Sequence, residues 1–347
     1  MDSSASLKLN INELPAPTWR WLKMNGSSLR IASPAPAALE PDALPDGVSA
    51  AKTAEPWRFA TSAGKDVDSL LDGIGAERVR YTLAGGNAVL RFSPCFSGEA
   101  ASAEFEAGEG AHLGVIMDFS GGEAVAQTRF KLSKGAEVTL VQIHSLESGA
   151  KFVNDLGALV GDGAKFNVVQ LVESSGEIYL GSYATLAGEE SFFKSGLGYF
   201  CSGGKLDVNC VSRHEGVKSE CDIRAYGALR DGGDKIFRGT IDFRNGAIGA
   251  RGNESEDALL LDDTVVNRTV PLILCREEDV EGTHGATIGK IDEAMMFYLN
   301  SRGISESEAY GMLARSRLSA ACRMIDDPSV RAEVLAGLGD GADGDEE

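Results

Sequence analysis

Residues 135–143, GAEVTLVQI, and 163–171, GAKFNVVQL, restate one pattern 28 residues apart. A glycine leads, a polar residue follows, and an aliphatic run closes the unit. The pattern returns as GEESFFKSGL from Gly188 and GVKSECDIRAYG from Gly216, at steps of 25 and 28 residues. A second series interleaves: GAKFV from Gly149, GEIYL from Gly176, GGKLDV from Gly203 and GDKIF from Gly233, at steps of 27, 27 and 30. Two phase-shifted strand–turn series with a common period are what the coils of a β-solenoid produce. Each coil holds short strands that cannot bury an apolar face alone, and stacking coils in register buries a continuous core. The period is too short for a four-stranded propeller blade of roughly 40–45 residues. Sandwich strands at about 8–12-residue spacing are the competing reading, and the twin glycine series favours the solenoid.

Strand composition agrees. VTLVQI, KFNVVQL, EIYLGSYATL and KIFRGTIDF are rich in β-branched and aromatic residues with partial alternation. Polar residues such as Thr139, Asn167 and Thr240 are expected on the exposed face. No helix of any length is expected between 76 and 275. The β-helix core is therefore assigned to 76–290.

The flanks differ in composition. Seven of the ten prolines precede residue 57, and 1–75 reads as an N-terminal segment. Within it, 13–25 (ELPAPTWRWLKMN) is expected to form a short helix or strand carrying Trp19 and Leu22, docked over an apolar edge. The run 33–47 (SPAPAALEPDALPDG) reads as extended linker. Beyond Gly303 the pattern turns helical, with Ser305 and Glu308 spaced as a capping box and a stripe through Ala309, Met312, Leu313, Ala320, Ala321, Met324 and Ile325. Asp326-Asp327-Pro328 ends that helix, and a second short one follows. Residues 291–336 form this helical region. The tail 337–347 is acidic, has no core-forming content and is expected to be disordered.

The net charge of −19 argues against nucleic acid and against anionic membrane surfaces as partners. No apolar run approaches the roughly 20 residues of a membrane span, and the N-terminus lacks the basic-then-apolar pattern of a signal peptide. A cytoplasmic location is expected. The six cysteines are dispersed without a C-x-x-C pair, so neither a ferredoxin-type motif nor a zinc ribbon is encoded. No P-loop occurs, so the chain is not expected to bind a nucleotide itself. No G-x-S-x-G or H-E-x-x-H occurs either, and no catalytic residue is assigned.

Chemistry concentrates between Cys275 and Gly303, CREEDVEGTHGATIGKIDEAMMFYLNSRG. The stretch reads as the end of a strand, an acidic turn, a small-residue turn around His284, and a helix over about 292–302. His284 is either a metal ligand approached closely past Gly285 and Ala286, or a residue hydrogen-bonding a tight turn. Imidazole ligates iron, and carboxylates such as Glu278 suit a hard ferrous ion. Cys275 is either a thiol ligand or a buried strand residue. Cys201, Cys210 and Cys221 fall in successive coils, where they either pass sulfur or pack the core. Met295, Met296, Phe297 and Leu299 are either core or a partner surface.

The run 257–304, DALLLDDTVVNRTVPLILCREEDVEGTHGATIGKIDEAMMFYLNSRGI, resembles the SufB/SufD family of iron–sulfur cluster assembly scaffolds, and is most like SufD. The resemblance is strong from about Leu259 to Arg317 and looser over 135–258. It implies a right-handed parallel β-helix followed by C-terminal helices. It also implies a non-enzymatic subunit that pairs through its β-helix with a SufB-like chain or with itself. A SufC-type ABC ATPase is expected to dock on the helices, where Phe297, Tyr298, Arg302 and Met312 are the candidate contacts. A transient Fe–S cluster is expected at the pair interface, with His284 as a ligand and Cys275 and Glu278 as candidates. Two thiols usual in the family are replaced: Gly282 stands where many SufD sequences have a cysteine, and Glu256 where SufB sequences have one. A second class of function, a β-helical carbohydrate-active enzyme using paired carboxylates, is the alternative. A structural partner without cluster ligands is a third.

Overall fold

The computed structural model describes residues 6–18, 21–146, 148–291 and 293–337. The N-terminal segment contributes β1 (Leu7–Ile11), β2 (Ser27–Ile31), β3 (Ala35–Ala38), β4 (Val48–Lys52) and α1 (Lys65–Gly73). The first coils hold β5 (Arg78–Leu83), β6 (Asn87–Phe92), β7 (Cys95–Phe96), β8 (Glu99–Ala107), β9 (His112–Gly121), β10 (Ala124–Leu132) and β11 (Glu137–Leu146). The middle coils hold β12 (Lys151–Val160), β13 (Lys165–Ser174), β14 (Glu177–Leu186), β15 (Phe192–Ser202) and β16 (Lys205–His214). The last coils hold β17 (Glu220–Arg230), β18 (Asp234–Phe243), β19 (Ala250–Leu260), β20 (Val266–Cys275) and β21 (Val280–Lys290). Helices α2 (Glu293–Ser301), α3 (Glu306–Cys322) and α4 (Pro328–Gly337) follow.

The chain is a parallel β-solenoid. One sheet runs β20-β18-β16-β14-β12-β10-β8-β5-β4, with β3 beside β8. The other runs β21-β19-β17-β15-β13-β11-β9-β6, with β7 beside β9. Successive strands alternate between the two sheets, so a coil is two strands of about ten residues joined by tight turns, where several shorter strands were expected. The register carries the sequence period: Val138 pairs with Phe166, Phe166 with Phe193 and Phe193 with Cys221.

The two glycines that matter most act differently. Gly163, with φ +58°, takes a left-handed turn that a side chain would strain. At Gly216 the coils touch: a Cβ there would lie 1.8 Å from the carbonyl oxygen of Gly188.

Alternate residues point inward. An aromatic column runs up the interior, with ring centroids 4.6 Å apart for Phe105–Phe130, 5.2 Å for Phe130–Phe166 and 6.0 Å for Phe166–Phe193. Spacings of this size suit stacked and tilted ring pairs.

The outer faces are covered. Leu9, Ile11, Leu29, Ile31, Val67 and Leu71 pack on Val125, Val153 and Tyr179 of the first sheet. Buried polar groups fix that docking. Arg129 donates to both Asp68 oxygens at 2.9 and 3.0 Å, and the Ala63 N–H donates to Asp155 at 2.7 Å. Asp207 receives Arg238 at 2.5 Å and Asn12 at 2.8 Å, while Arg238 also donates to the Met24 carbonyl at 2.6 Å. On the second sheet, Ala321, Met324, Ile325, Val330 and Val334 pack on Ile116, Val141, Val169 and Leu171. Gly198 makes room for α3, since a Cβ there would meet Ala321 Cβ at 2.9 Å.

Several flanking expectations are corrected. Trp21 and Leu22 sit in an exposed turn, in neither helix nor strand, because Pro15 and Pro17 break what precedes them. Trp19 lies outside the described residues, as do residues 338–347 of the acidic tail. The linker 33–47 contains β3, whose short backbone run pairs with β8. Asn167 is buried because its side chain bridges Met324 and Asp326 beneath the helices, and Thr240 is buried as well. Ser305 and Glu308 do form the capping box. The buried face of α3 runs through Ala309, Tyr310, Ala314, Leu318, Ala321 and Cys322, leaving Met312 about half exposed.

Candidate functional site

The solenoid stops abruptly. Among the described residues, strands β20 and β21 each have a neighbour on one side only. They are 10 and 11 residues long, and nearly every residue of β21 is exposed. An uncovered parallel edge presents a row of free backbone donors and acceptors.

His284 is in the middle of β21, so the expected tight turn is a strand. The stretch THGATIG is continuous with the ladder: Gly252 pairs with Gly282, Glu254 with His284 and Glu256 with Ala286. The side that faces the solenoid axis is set by Gly282, where a Cβ would lie 3.0 Å from the Phe243 ring and 3.2 Å from Ile273. His284, two residues on, shares that side. Its imidazole therefore stands over the mouth of the interior.

Cys275 and the acidic turn lie at the corner of the same open end. The exposed Cys275 thiol donates to the Glu277 carbonyl at 3.0 Å. The Glu277 carboxylate accepts the Gly246 and Glu278 N–H groups, which pull its pKa down. Glu278 itself is exposed. Cys275 and Glu278 flank the start of β21, and His284 lies four residues beyond Val280, about 13 Å along the strand. The structure thus brings Cys275 and the turn together and holds His284 apart from them. Among the described residues no three His, Cys, Asp or Glu side chains converge as a metal site.

Below His284 the interior turns polar, which composition did not reveal. Glu254, Glu256 and Lys235 point inward and are buried. Glu256 is ion-paired with Lys235, and it accepts from Tyr199 at 3.1 Å and from Thr269 at 2.5 Å. Burial lowers the Lys235 pKa and its partner Glu256 opposes that shift. Glu254 lies against Gly239, where a Cβ would meet its carboxyl carbon at 2.2 Å. Burial, then the charge of Glu256, push Glu254 up to about 8. The signal available in sequence was the phase of the ladder: counting back one coil from His284 lands on Glu254.

Cys201, Cys210 and Cys221 line the interior as expected. Burial pushes their thiols up to about 11, 11 and 12, and Cys210 sits 3.1 Å from the Ser182 hydroxyl.

The helices carry an apolar surface. Met295, Phe297 and Tyr298 on α2 are 54, 75 and 54% exposed. Arg302 lies over the Tyr298 ring at 5.2 Å. Met296 turns the other way and, like Ile291 and Leu313, packs against the cluster of Ala228, Leu259, Leu261 and Tyr310. Among the described residues no helix is long and apolar enough to cross a membrane.

The chain is thus a two-sheet parallel β-solenoid with an open, polar-lined mouth and appended helices. Comparison with known proteins gives it a family. Residues 98–317 match the family described as SUF system FeS cluster assembly, SufBD core domain, and the chain belongs to that family. It is 28% identical to the Bacillus subtilis iron-sulfur cluster assembly protein SufD over 187 residues, which is 52% of this chain and 43% of that protein. A Mycobacterium tuberculosis SufBD family protein is 36% identical over 109 residues, 31% of this chain and 13% of its own length. A Staphylococcus epidermidis SufBD family protein is 34% identical over 115 residues, 33% of this chain and 25% of its own length. The chain spans less than half the length of each of these relatives.

Proposed function

We propose that this chain is a SufD-like, non-enzymatic scaffold subunit of an iron–sulfur cluster assembly complex. The observation that carries the reading is the open end, where two long strand edges lie exposed and His284 stands over the mouth. A SufB-like chain, or a second copy of this one, adds strands to β20 and β21 and so closes the mouth. The cluster is cargo assembled at that junction. His284 is this chain's ligand, while Cys275 and Glu278, at the corner, serve entry or a neighbouring ion. The partner supplies sulfur ligands, because Gly282 and Glu256 replace thiols on this side.

Met295, Phe297, Tyr298, Arg302 and Met312 form the docking face for a SufC-type ABC ATPase, with α3 passing its movement to the solenoid wall. Nucleotide binding belongs to that ATPase. The setting is cytoplasmic. The paired carboxylates a glycosidase needs are poorly served here, because Glu254 and Glu256 are inside the solenoid and not in an open groove.

The test is anaerobic co-purification with SufB- and SufC-type partners, followed by iron and sulfide analysis. The intact complex should carry cluster, and His284→Ala should lose most of it while still assembling. Wild-type cluster content in that variant would remove His284 from the site.

A further inference from the structure

Two buried carboxylates sit side by side near the mouth, and they are treated differently. Glu256 has Tyr199, Lys235 and Thr269 as partners. Glu254 is 2% exposed, and its Oε2 has no hydrogen-bond partner. A buried carboxylate oxygen left unpaired is costly, and native structures rarely keep one without a reason. The surroundings accommodate it: Gly239 has no side chain, and a Cβ there would collide with the carboxyl group. The ladder places His284 directly above Glu254, on the same inward side of adjacent parallel strands.

We propose that Glu254 and His284 together form a half-site for a divalent cation at the mouth of the solenoid, and that its occupant is ferrous iron. The proposal rests on the reading of His284 given above and adds a ligand to it. One imidazole and one carboxylate are a donor pair suited to iron(II). Two donors are an incomplete set, so solvent and the partner chain complete the coordination. The cation gives the unpartnered Glu254 oxygen a partner and is held one coil inside the edge, ahead of cluster formation.

The full chain is titrated anaerobically with ferrous iron alone, by calorimetry, and with cobalt(II), whose visible absorption reports ligand geometry. The wild type should bind about one ion. Glu254→Gln and His284→Ala should each weaken binding at least tenfold, the scale for losing a group that supports a metal. The double variant should bind no more weakly than the poorer single one. Glu278→Gln should bind as the wild type does. Thermal unfolding of metal-free Glu254→Gln should be no earlier than that of the wild type. Glu254→Leu serves if the glutamine variant misfolds. No binding by the wild type overturns the proposal, as does wild-type affinity in both Glu254 variants. Loss in His284→Ala alone removes Glu254 and leaves the reading of His284 standing. Loss in the Glu254 variants alone breaks the pair and tells against His284.

Discussion

At its first end the solenoid closes on small pieces: β4 is five residues long, runs antiparallel to β5, and offers Lys52 at its tip. Just above, the interior is filled by Tyr81, Phe92, Phe105 and Phe130 in ring-to-ring contact. At its last end, β20 and β21 stop at full length, among the described residues no further strand pairs with them, and the interior holds Glu254, Glu256, Lys235 and Thr269. Solenoids generally need a polar or irregular cap at each terminus to stay soluble. Here one terminus is capped by its own chain. The other ends on two long strand edges above an interior that holds buried polar groups.

That contrast can be broken by experiment. The largest effect is expected in the aromatic column. Phe130→Ala should cost about 3–5 kcal/mol in urea unfolding, since it removes a stacked ring from a tight core. A loss under about 1 kcal/mol would mean the column does not carry the first half. Next comes the latch between the N-terminal segment and the first sheet. Arg238→Ala leaves Asp207 buried with its strongest partner gone and should cost roughly 3 kcal/mol. Protease sensitivity should appear in 1–75 before the coils are cut, and simultaneous cleavage throughout would contradict a separate latch.

Titration should separate two buried histidines from Glu254 by sign. Burial holds His144 and His214 down at about 3 and 4, so both are neutral in the fold. The unfolded chain takes up their protons first, and stability should fall as pH drops from about 6.5 to 4. Glu254 acts oppositely. Its proton is retained up to about pH 8 in the fold. Its contribution is present below about 4.5 and lost as pH rises through 8. The groups facing it are Glu256, Lys235, Cys210 and, from the last coil, His284. Urea unfolding of the wild type against Glu254→Gln should show the difference shrinking or reversing from pH 5 to 8. A constant difference would mean Glu254 is already ionised. The smallest effect belongs to the edge: Ile288→Ala, more than half exposed, should change stability by less than about 0.5 kcal/mol.

The glycine series made the solenoid legible, because crowded turns between stacked coils admit little else, as Gly216 illustrates. The length of the strands was not legible: a ten-residue strand and two short ones share the same alternation. The covered outer faces were hidden for a similar reason. Asn167 and Thr240 look solvent-facing by period, yet α3, α4 and the N-terminal segment lie over the sheets. His284 was found by its neighbours in sequence, but its strand was mistaken for a turn because Gly282, Gly285 and Gly289 dilute the β pattern. Glu254 carries no local signal at all. Its role depends on a residue one coil away.

The most direct measurement of the central claim is hydrogen–deuterium exchange of β20 and β21, in the isolated chain and after addition of a SufB-type partner. The isolated chain should exchange rapidly over Val266–Cys275 and Val280–Lys290 while β10 to β13 stay protected, and the partner should slow exchange in both edge strands together. Slow exchange there without a partner, or no change on adding one, would contradict an open end built for assembly.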